Sequence, residues 1–350
     1  MAPDSDLEET KQRIERQRRA ARRSQNPVEQ GELALMLNDL GADLWDRGRV
    51  AEALGPVDEA IGIWRRLAKR DPRRWRLELA RSARNRGRFL ARLGRAEDAL
   101  ASLQESVDLF RFAAAADLSL LPALDGAFSQ LADTSAELGR PGDAVAALRQ
   151  EVDFYTELAA VDAAQVKPYL AGAYSTLGLA LAQLGRHEDA LDAAHQAAGI
   201  FRACRSELAA QQEIFEAMGD IGALYQAGRG ADARAVTERL VRRHPRLADV
   251  GQLVNVNPGA VSAQRVATID GGLAGALYLA GAELARLGRY QEALAPAEEA
   301  VTIFRQLKEP HPADFGGWLG RALDSLAVTL TALGRHDSAR HVQDERRSQP

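Results

Sequence analysis

Arg81, Arg84, Arg88 and Arg92 stand at i, i+3, i+7 and i+11, a spacing that brings four side chains onto one stripe of an α-helix. Four guanidinium groups in a row repel one another unless anions answer them. The guanidinium is a planar fork of N–H donors that fits a carboxylate or phosphate bidentately, which a lysine ammonium cannot do. Ala80, Ala83, Gly87 and Leu90 occupy another face of the same segment, so the stripe is separate from the side that packs. Asn85 lies beside it. Three answers to the charge are open: carboxylates or phosphates of a partner, the acids Asp125, Asp133 and Glu137 further along the chain, or solvent alone. The stripe belongs to a block from Arg65 to Arg95 with thirteen basic residues against Asp71 and Glu78, whereas Ala96 to Ile200 carries sixteen acidic residues against five basic ones. The whole chain has a formal net charge of −4. No global field therefore draws it onto nucleic acid or an anionic membrane, and any such contact must be local.

Other chemistry is hard to find. The six histidines, His187, His195, His244, His311, His336 and His341, include no pair with metalloprotease spacing. Gly228-Arg-Gly230-Ala-Asp-Ala233 formally fits a dinucleotide fingerprint, but no strand precedes it. There is no phosphate-loop Gly-Lys-Ser/Thr, and the adjacent acids Glu188-Asp189 and Glu298-Glu299 sit in helical patterns with no sign of a shared pocket. A non-catalytic protein without metal or cofactor is expected. The single Cys204 excludes an intrachain disulfide and suits a core position in a reducing, cytoplasmic setting.

The elements that must position the stripe announce themselves by repetition. Gly-Arg recurs at Gly48, Gly94, Gly139, Gly185, Gly228, Gly288 and Gly334, with spacings of 46, 45, 46, 43, 60 and 46. Five residues after each glycine stands an alanine: Ala53, Ala99, Ala144, Ala190, Ala233, Ala293 and Ala339. Four residues before it stands leucine in every repeat but the third, which has Ser135. Seven before it comes a small residue, Gly41, Gly87, Ala132, Gly178, Gly281 or Ala327, with Ile221 as the exception. Apolar residues at spacings of three and four on both sides describe two amphipathic helices, joined by a turn in which glycine takes the left-handed conformation. The small residue of the first helix (A) is expected against the alanine of the second (B). A large aromatic, Trp64, Phe110, Tyr155, Phe201 or Phe304, sixteen residues after the glycine forms a core stripe. Prolines such as Pro27, Pro72, Pro122, Pro168 and Pro312 fall between repeats, where B must stop. Aromatics make up only 5% of the chain, which leaves little to build a sheet.

With these residues in view the sequence resembles the tetratricopeptide repeat family. The clearest repeat runs Tyr174-Ser-Thr-Leu177-Gly178-Leu-Ala-Leu181-Ala-Gln-Leu184-Gly185-Arg-His187-Glu-Asp-Ala190-Leu191, followed by Ala197. The repeat from Leu277 to Ala300 is similar. The family's usual period is 34 residues; here it is about 45, which implies longer helices and looks like the arrays of kinesin light chains and large actinobacterial regulators. The resemblance implies an all-α fold, a right-handed α-solenoid of about seven helical hairpins, and a protein-binding role. It also implies that helix A lines the concave groove, with Arg84 and Arg88 at the family's carboxylate-gripping positions. Arg86 takes a position held by Leu40, Leu131, Leu177 and Leu326 elsewhere, which the pattern does not explain.

The expected organisation is a charged N-terminal extension over 1–30, either a capping helix or a basic arm, then repeats one to five over 31–244. An inserted loop over 245–262 and repeats six and seven over 263–347 follow. Repeat five is irregular, with His244-Pro245 where the aromatic belongs and Asp220 in place of an apolar residue. The N-terminus lacks the apolar run of a secretory signal, and the uncharged stretch between Lys167 and Arg186 holds too many polar and glycine residues for a membrane span. Arginine greatly outnumbers lysine, which points to a GC-rich bacterial genome. The expected partner is a protein offering an acidic or C-terminal segment to Arg81, Arg84, Asn85, Arg88 and Arg92. The alternative is a regulatory array whose basic N-terminal third touches nucleic acid or another anionic surface. Oligomeric state is left open.

Overall fold

All seven turn glycines adopt the left-handed conformation, with φ between 71° and 76°. Each turn closes in the same way. The N–H of the following arginine donates to the carbonyl five residues back, from Arg49 to Leu44 (2.8 Å), Arg186 to Leu181 (3.0 Å) and Arg335 to Leu330 (2.9 Å), for example. This satisfies a carbonyl that the helix end would otherwise orphan. The computed structural model describes residues 4–24, 26–244 and 262–349. Among these residues there is no strand, and no helix is long and apolar enough to cross a membrane. They fall into two bodies, Met1–Ala160 and Val161–Pro350.

The N-terminal body contains α1 (Asp4–Ser24), α2 (Pro27–Asp46), α3 (Val50–Arg70), α4 (Pro72–Arg92), α5 (Ala96–Ala114), α6 (Leu121–Glu137) and α7 (Pro141–Ala159). The starts follow local chemistry. Asn26 and Asp71 cap α2 and α4, accepting hydrogen bonds from the backbone N–H groups of Val28 (2.9 Å) and Arg74 (3.2 Å), and each is followed by a proline in the first helical position, where a missing donor costs nothing. Hairpins α2–α3, α4–α5 and α6–α7 are repeats one to three. The A helices α2, α4 and α6 touch one another along one face. Helix α1 lies on α2, burying Leu7, Ile14 and Ala21, and Arg18 reaches Glu59 of α3 at 2.6 Å. The expected crossing of A and B is tight: a Cβ on Gly41 would lie 3.3 Å from the Ala53 carbonyl oxygen, and one on Gly87 only 3.1 Å from that of Ala99. Trp64, Phe110 and Tyr155 are buried.

The C-terminal body contains α8 (Ala163–Gln183), α9 (His187–Gln226), α10 (Gly230–Arg243), α11 (Ala263–Arg286), α12 (Tyr290–Lys308), α13 (Pro312–Ala332) and α14 (His336–Arg347). Here the stack departs from seven consecutive hairpins. Helix B of repeat four and helix A of repeat five are one continuous 40-residue helix, α9. No proline or glycine stands between Phe201 and Met218 to break it. Helix α11 of repeat six packs directly on α8 and the first half of α9. A Cβ on Gly178 of α8 would meet the α11 side chain Leu279 at 2.9 Å, and one on Gly272 of α11 would meet the ring of Phe201. His187 Nδ1 and the buried Glu283 are 2.6 Å apart, and Arg205 pairs with Asp270 at 3.0 Å. Repeat five, the second half of α9 with α10, is left with a small core of Ile214 and Leu240. Its Leu224 is half-buried, whereas Leu44, Leu90, Leu181, Leu284 and Leu330 at the same register are buried. The insertion expected over 245–262 lies almost wholly outside the described residues.

Candidate functional site

Helix α4 carries the arginine stripe, and its neighbours on the A-helix face are α2 and α6. Arg84 and Arg88 are half-buried, while Arg81 and Arg92 are exposed. The Arg84 guanidinium leans toward α6, 3.6 Å from where a Cβ on Gly126 would stand, and 5.9 Å from the centre of the Phe110 ring. Arg88 lies 5.1 Å above the Trp45 ring of α2, which itself stacks on Phe89 at 5.1 Å. Asn85 Nδ2 donates to Asn38 Oδ1 of α2 at 3.2 Å. Arg81 makes a local ion pair with Glu78 at 3.1 Å. The Trp45 and Phe110 rings thus support Arg88 and Arg84 through their faces and leave those two guanidinium forks uncommitted, while Arg81 is engaged by Glu78.

No ion pair joins Arg84 or Arg88 to Asp125, Asp133 or Glu137 among the described residues. Burial, then the neighbouring Arg88 and Arg81, pull the Arg84 guanidinium below its ordinary pKa. Asp125 is engaged elsewhere. It shares a hydrogen bond with Glu151 of α7, whose carboxyl is pushed up to about 9 by burial and by the Asp125 charge, and burial likewise raises Asp125. Glu151 is therefore the protonated member at neutral pH, donating to Asp125.

Arg86 has a separate role. Its Nε donates to Asp58 of α3 at 2.6 Å, and its Nη1 meets Ser102 of α5, so it ties two B helices from an A-helix position. Sequence pattern alone could not find Trp45, Asn38 or Phe110 as the supports of the stripe, because the first two stand on α2 and the third on α5, none of them on α4 itself. The signal that was available is the register: Asn38 and Arg84 both stand ten residues before a turn glycine.

Family models for the tetratricopeptide repeat match residues 33–73 and, in a second form, 80–105, 126–150 and 171–196. These segments fall on α2–α3, α4–α5, α6–α7 and α8–α9. These segments are tetratricopeptide repeats. Among solved structures, this repeat protein is similar to BtubC (BKLC) from P. vanneervenii, at 16% identity and a TM-score of 0.49 over 85% of this chain and 89% of that one. It is also similar to aspartyl phosphate phosphatase F from Bacillus subtilis, at 14% identity and a TM-score of 0.36 over 94% and 73%. A third is the Rap conjugation gene regulator of the plasmid pLS20 in complex with the Phr* peptide, at 14% identity and a TM-score of 0.31 over 92% and 78%. No curated protein matches the sequence.

Proposed function

We propose that the A-helix face of the N-terminal body is a non-catalytic binding surface for an acidic or C-terminal segment of a partner protein, with Arg84 and Arg88 as the principal contacts and Arg81, Asn85 and Arg92 around them. The observation that carries this reading is the state of Arg84. It is a half-buried guanidinium with two cationic neighbours, no carboxylate within ion-pair distance among the described residues, and a depressed pKa. A charge held at that cost is resolved when a carboxylate binds. The nucleic-acid reading is weaker because the basic block is partly neutralised from within: Arg65 pairs with Glu105, Arg86 with Asp58 and Arg95 with Asp98. A buried, unpaired Cys204 and the excess of arginine over lysine suit a bacterial cytoplasm.

The test is titration of the full chain with a fluorescein-labelled oligoglutamate peptide, in free-acid and amide-blocked forms, with duplex DNA as competitor. Each charge-assisted contact contributes about 1.5 to 3 kcal/mol, so Arg84→Glu with Arg88→Glu should weaken binding by roughly two orders of magnitude or more. The far-ultraviolet helical signal should not change. Unaltered affinity in the double variant would remove the stripe from the site. Displacement by DNA with a steep salt dependence would favour the nucleic-acid reading instead.

A further inference from the structure

Where one repeat stacks on the next, the following A helix lies on residues at fixed places in the layer before it. Three and ten residues before the turn glycine, Trp45 stacks on Phe89 of α4, Asn38 bonds Asn85 of α4, and Tyr278 meets Trp318 of α13 edge-on at 6.3 Å. Nine residues after the glycine, Val57, Leu103 and Ala297 are buried, and so are Ile61, Val107 and Val301 at thirteen. These four places mark the surface on which a further layer sits. In repeat five they hold Met218, Tyr225, Thr237 and Val241, and the surface is open. Met218 is 39% and Tyr225 55% exposed, with Thr237 and Val241 half-buried. Helix α11 would supply the covering helix in a regular stack, but it packs on α8 and the first half of α9 instead. A groove of about 470 Å³ is left between α9 and α10, lined by Tyr225, Arg234, Thr237, Glu238, Val241 and Arg242.

Repeat seven also lacks a covering layer among the described residues, yet it is built differently. At the same four places it has Asp324, Thr331, Gln343 and Arg347, all exposed. Polar side chains keep an uncovered layer in water. Repeat five presents a thioether, a phenol ring and a valine at three of its four places, which is the dress of a layer that something covers. The core inside its hairpin, Ile214 and Leu240 with Ala217 against them, is small for two helices that must hold together. The charges on the rim of the groove are also unfinished. Among the described residues Arg234 has no carboxylate partner, and Glu238 has a single long contact, 3.9 Å to Arg242. Arg234 and Glu238 stand four residues apart on α10, on one side of the helix. Such a pair complements itself when two copies of the helix meet antiparallel.

We propose that this face of repeat five joins two copies of this chain, the hairpin of α9 and α10 packing on the same hairpin of a second copy as a four-helix bundle about a two-fold axis. Each copy supplies the layer that the other lacks. Helix α10 runs antiparallel to its counterpart, with Arg234 against the partner's Glu238 and Glu238 against the partner's Arg234. Met218, Tyr225 and Val241 close into the interior between the two hairpins. The self-complementary charge pair selects a second copy over an unrelated helix, which has no reason to be met by charges that exchange under a two-fold axis. The contact is small, so association depends on concentration. It is separate in position and chemistry from the arginine stripe.

The test is sedimentation velocity of the full chain over about 1 to 300 µM, with a self-association Kd at or below about 100 µM expected. Met218→Glu with Tyr225→Glu places charge at two exposed positions, so the far-ultraviolet helical signal should hold, while the dimer weakens at least about tenfold. Arg234→Glu and Glu238→Arg should each weaken it about tenfold by setting like charges opposite one another. The two reversals together in one chain should restore it to within about threefold of wild type. Arg84→Glu with Arg88→Glu should leave the dimer untouched, which separates the fate of this contact from that of the stripe. A chain that stays monomeric over the whole range, whether the face is bare or covered by another protein or by another part of the same chain, would overturn the proposal. So would a dimer unaltered by Met218→Glu with Tyr225→Glu, or a double reversal no stronger than either single one.

Discussion

Replacing Glu151 by glutamine tests the electrostatics of the N-terminal body. Glu151 is almost fully buried, one of its carboxyl oxygens has no hydrogen-bond partner, and its pKa is pushed from 4.5 to about 9. Between those two values the folded state holds a proton that the unfolded state has released. Stability must therefore fall as pH rises through this window, and it is fully present only below the unfolded value. At about 1.36 kcal/mol per pH unit, the interval from 4.5 to 7 amounts to about 3 kcal/mol. Glutamine has the same shape and can donate its amide N–H to Asp125 as the protonated acid does, yet it cannot ionise. Wild type and Glu151→Gln should differ little at pH 4.5, and the variant should be more stable by about 3 kcal/mol at pH 7 and by more at pH 8. Trp45, Trp64 and Trp75 all belong to the N-terminal body, so urea unfolding followed by tryptophan fluorescence largely reports the relevant transition. A difference between the two proteins that does not change with pH would refute the reasoning.

Ala190 and Ala293 are buried where helices A and B cross, and the Gly178 and Gly281 backbones leave no slack beside them. Phenylalanine at either position should cost about 1 to 3 kcal/mol by overpacking, against little change for the exposed Glu188→Ala, as thermal melts would show; equal tolerance would contradict the crossing. Gly185→Ala forces an L-residue into φ 71° and should cost about 1 kcal/mol in the same assay, while a neutral result would mean that the turn relaxes to another form.

Turns, crossings and the aromatic core were legible because each depends on residues close in sequence and repeated in register: Gly185 with Ala190, Gly178 with Leu181. The fusion of repeats four and five was not, because its only signal is a missing breaker between Phe201 and Met218, and the Gly228 turn advertises a complete repeat whether or not that repeat stacks. The arginine stripe was legible as a stripe, but not its supports, since Trp45 and Phe110 come from helices on either side of α4. Arg86 looked anomalous from its own column. Its explanation lies in Asp58 and Ser102, two B-helix residues that helical periodicity does not link to it.

The 40-residue helix α9 separates two quantities that a solenoid usually keeps equal, the number of turns and the number of layers. Seven turn glycines are present, but repeat five contributes no layer between α9 and α11. Phe201 underlies Gly272 and Arg205 meets Asp270, so the chain leaves the stack and rejoins it at nearly the same point. Topologically, the described residues between, the second half of α9 with α10, form a side branch of the stack. In a nearest-neighbour description of repeat stability, the branch has its own intrinsic term but no interfacial coupling to layers on both sides. Changes in its length and composition should therefore leave the phase of the repeats on either side undisturbed, which makes this junction a position where the architecture takes added sequence at small structural cost.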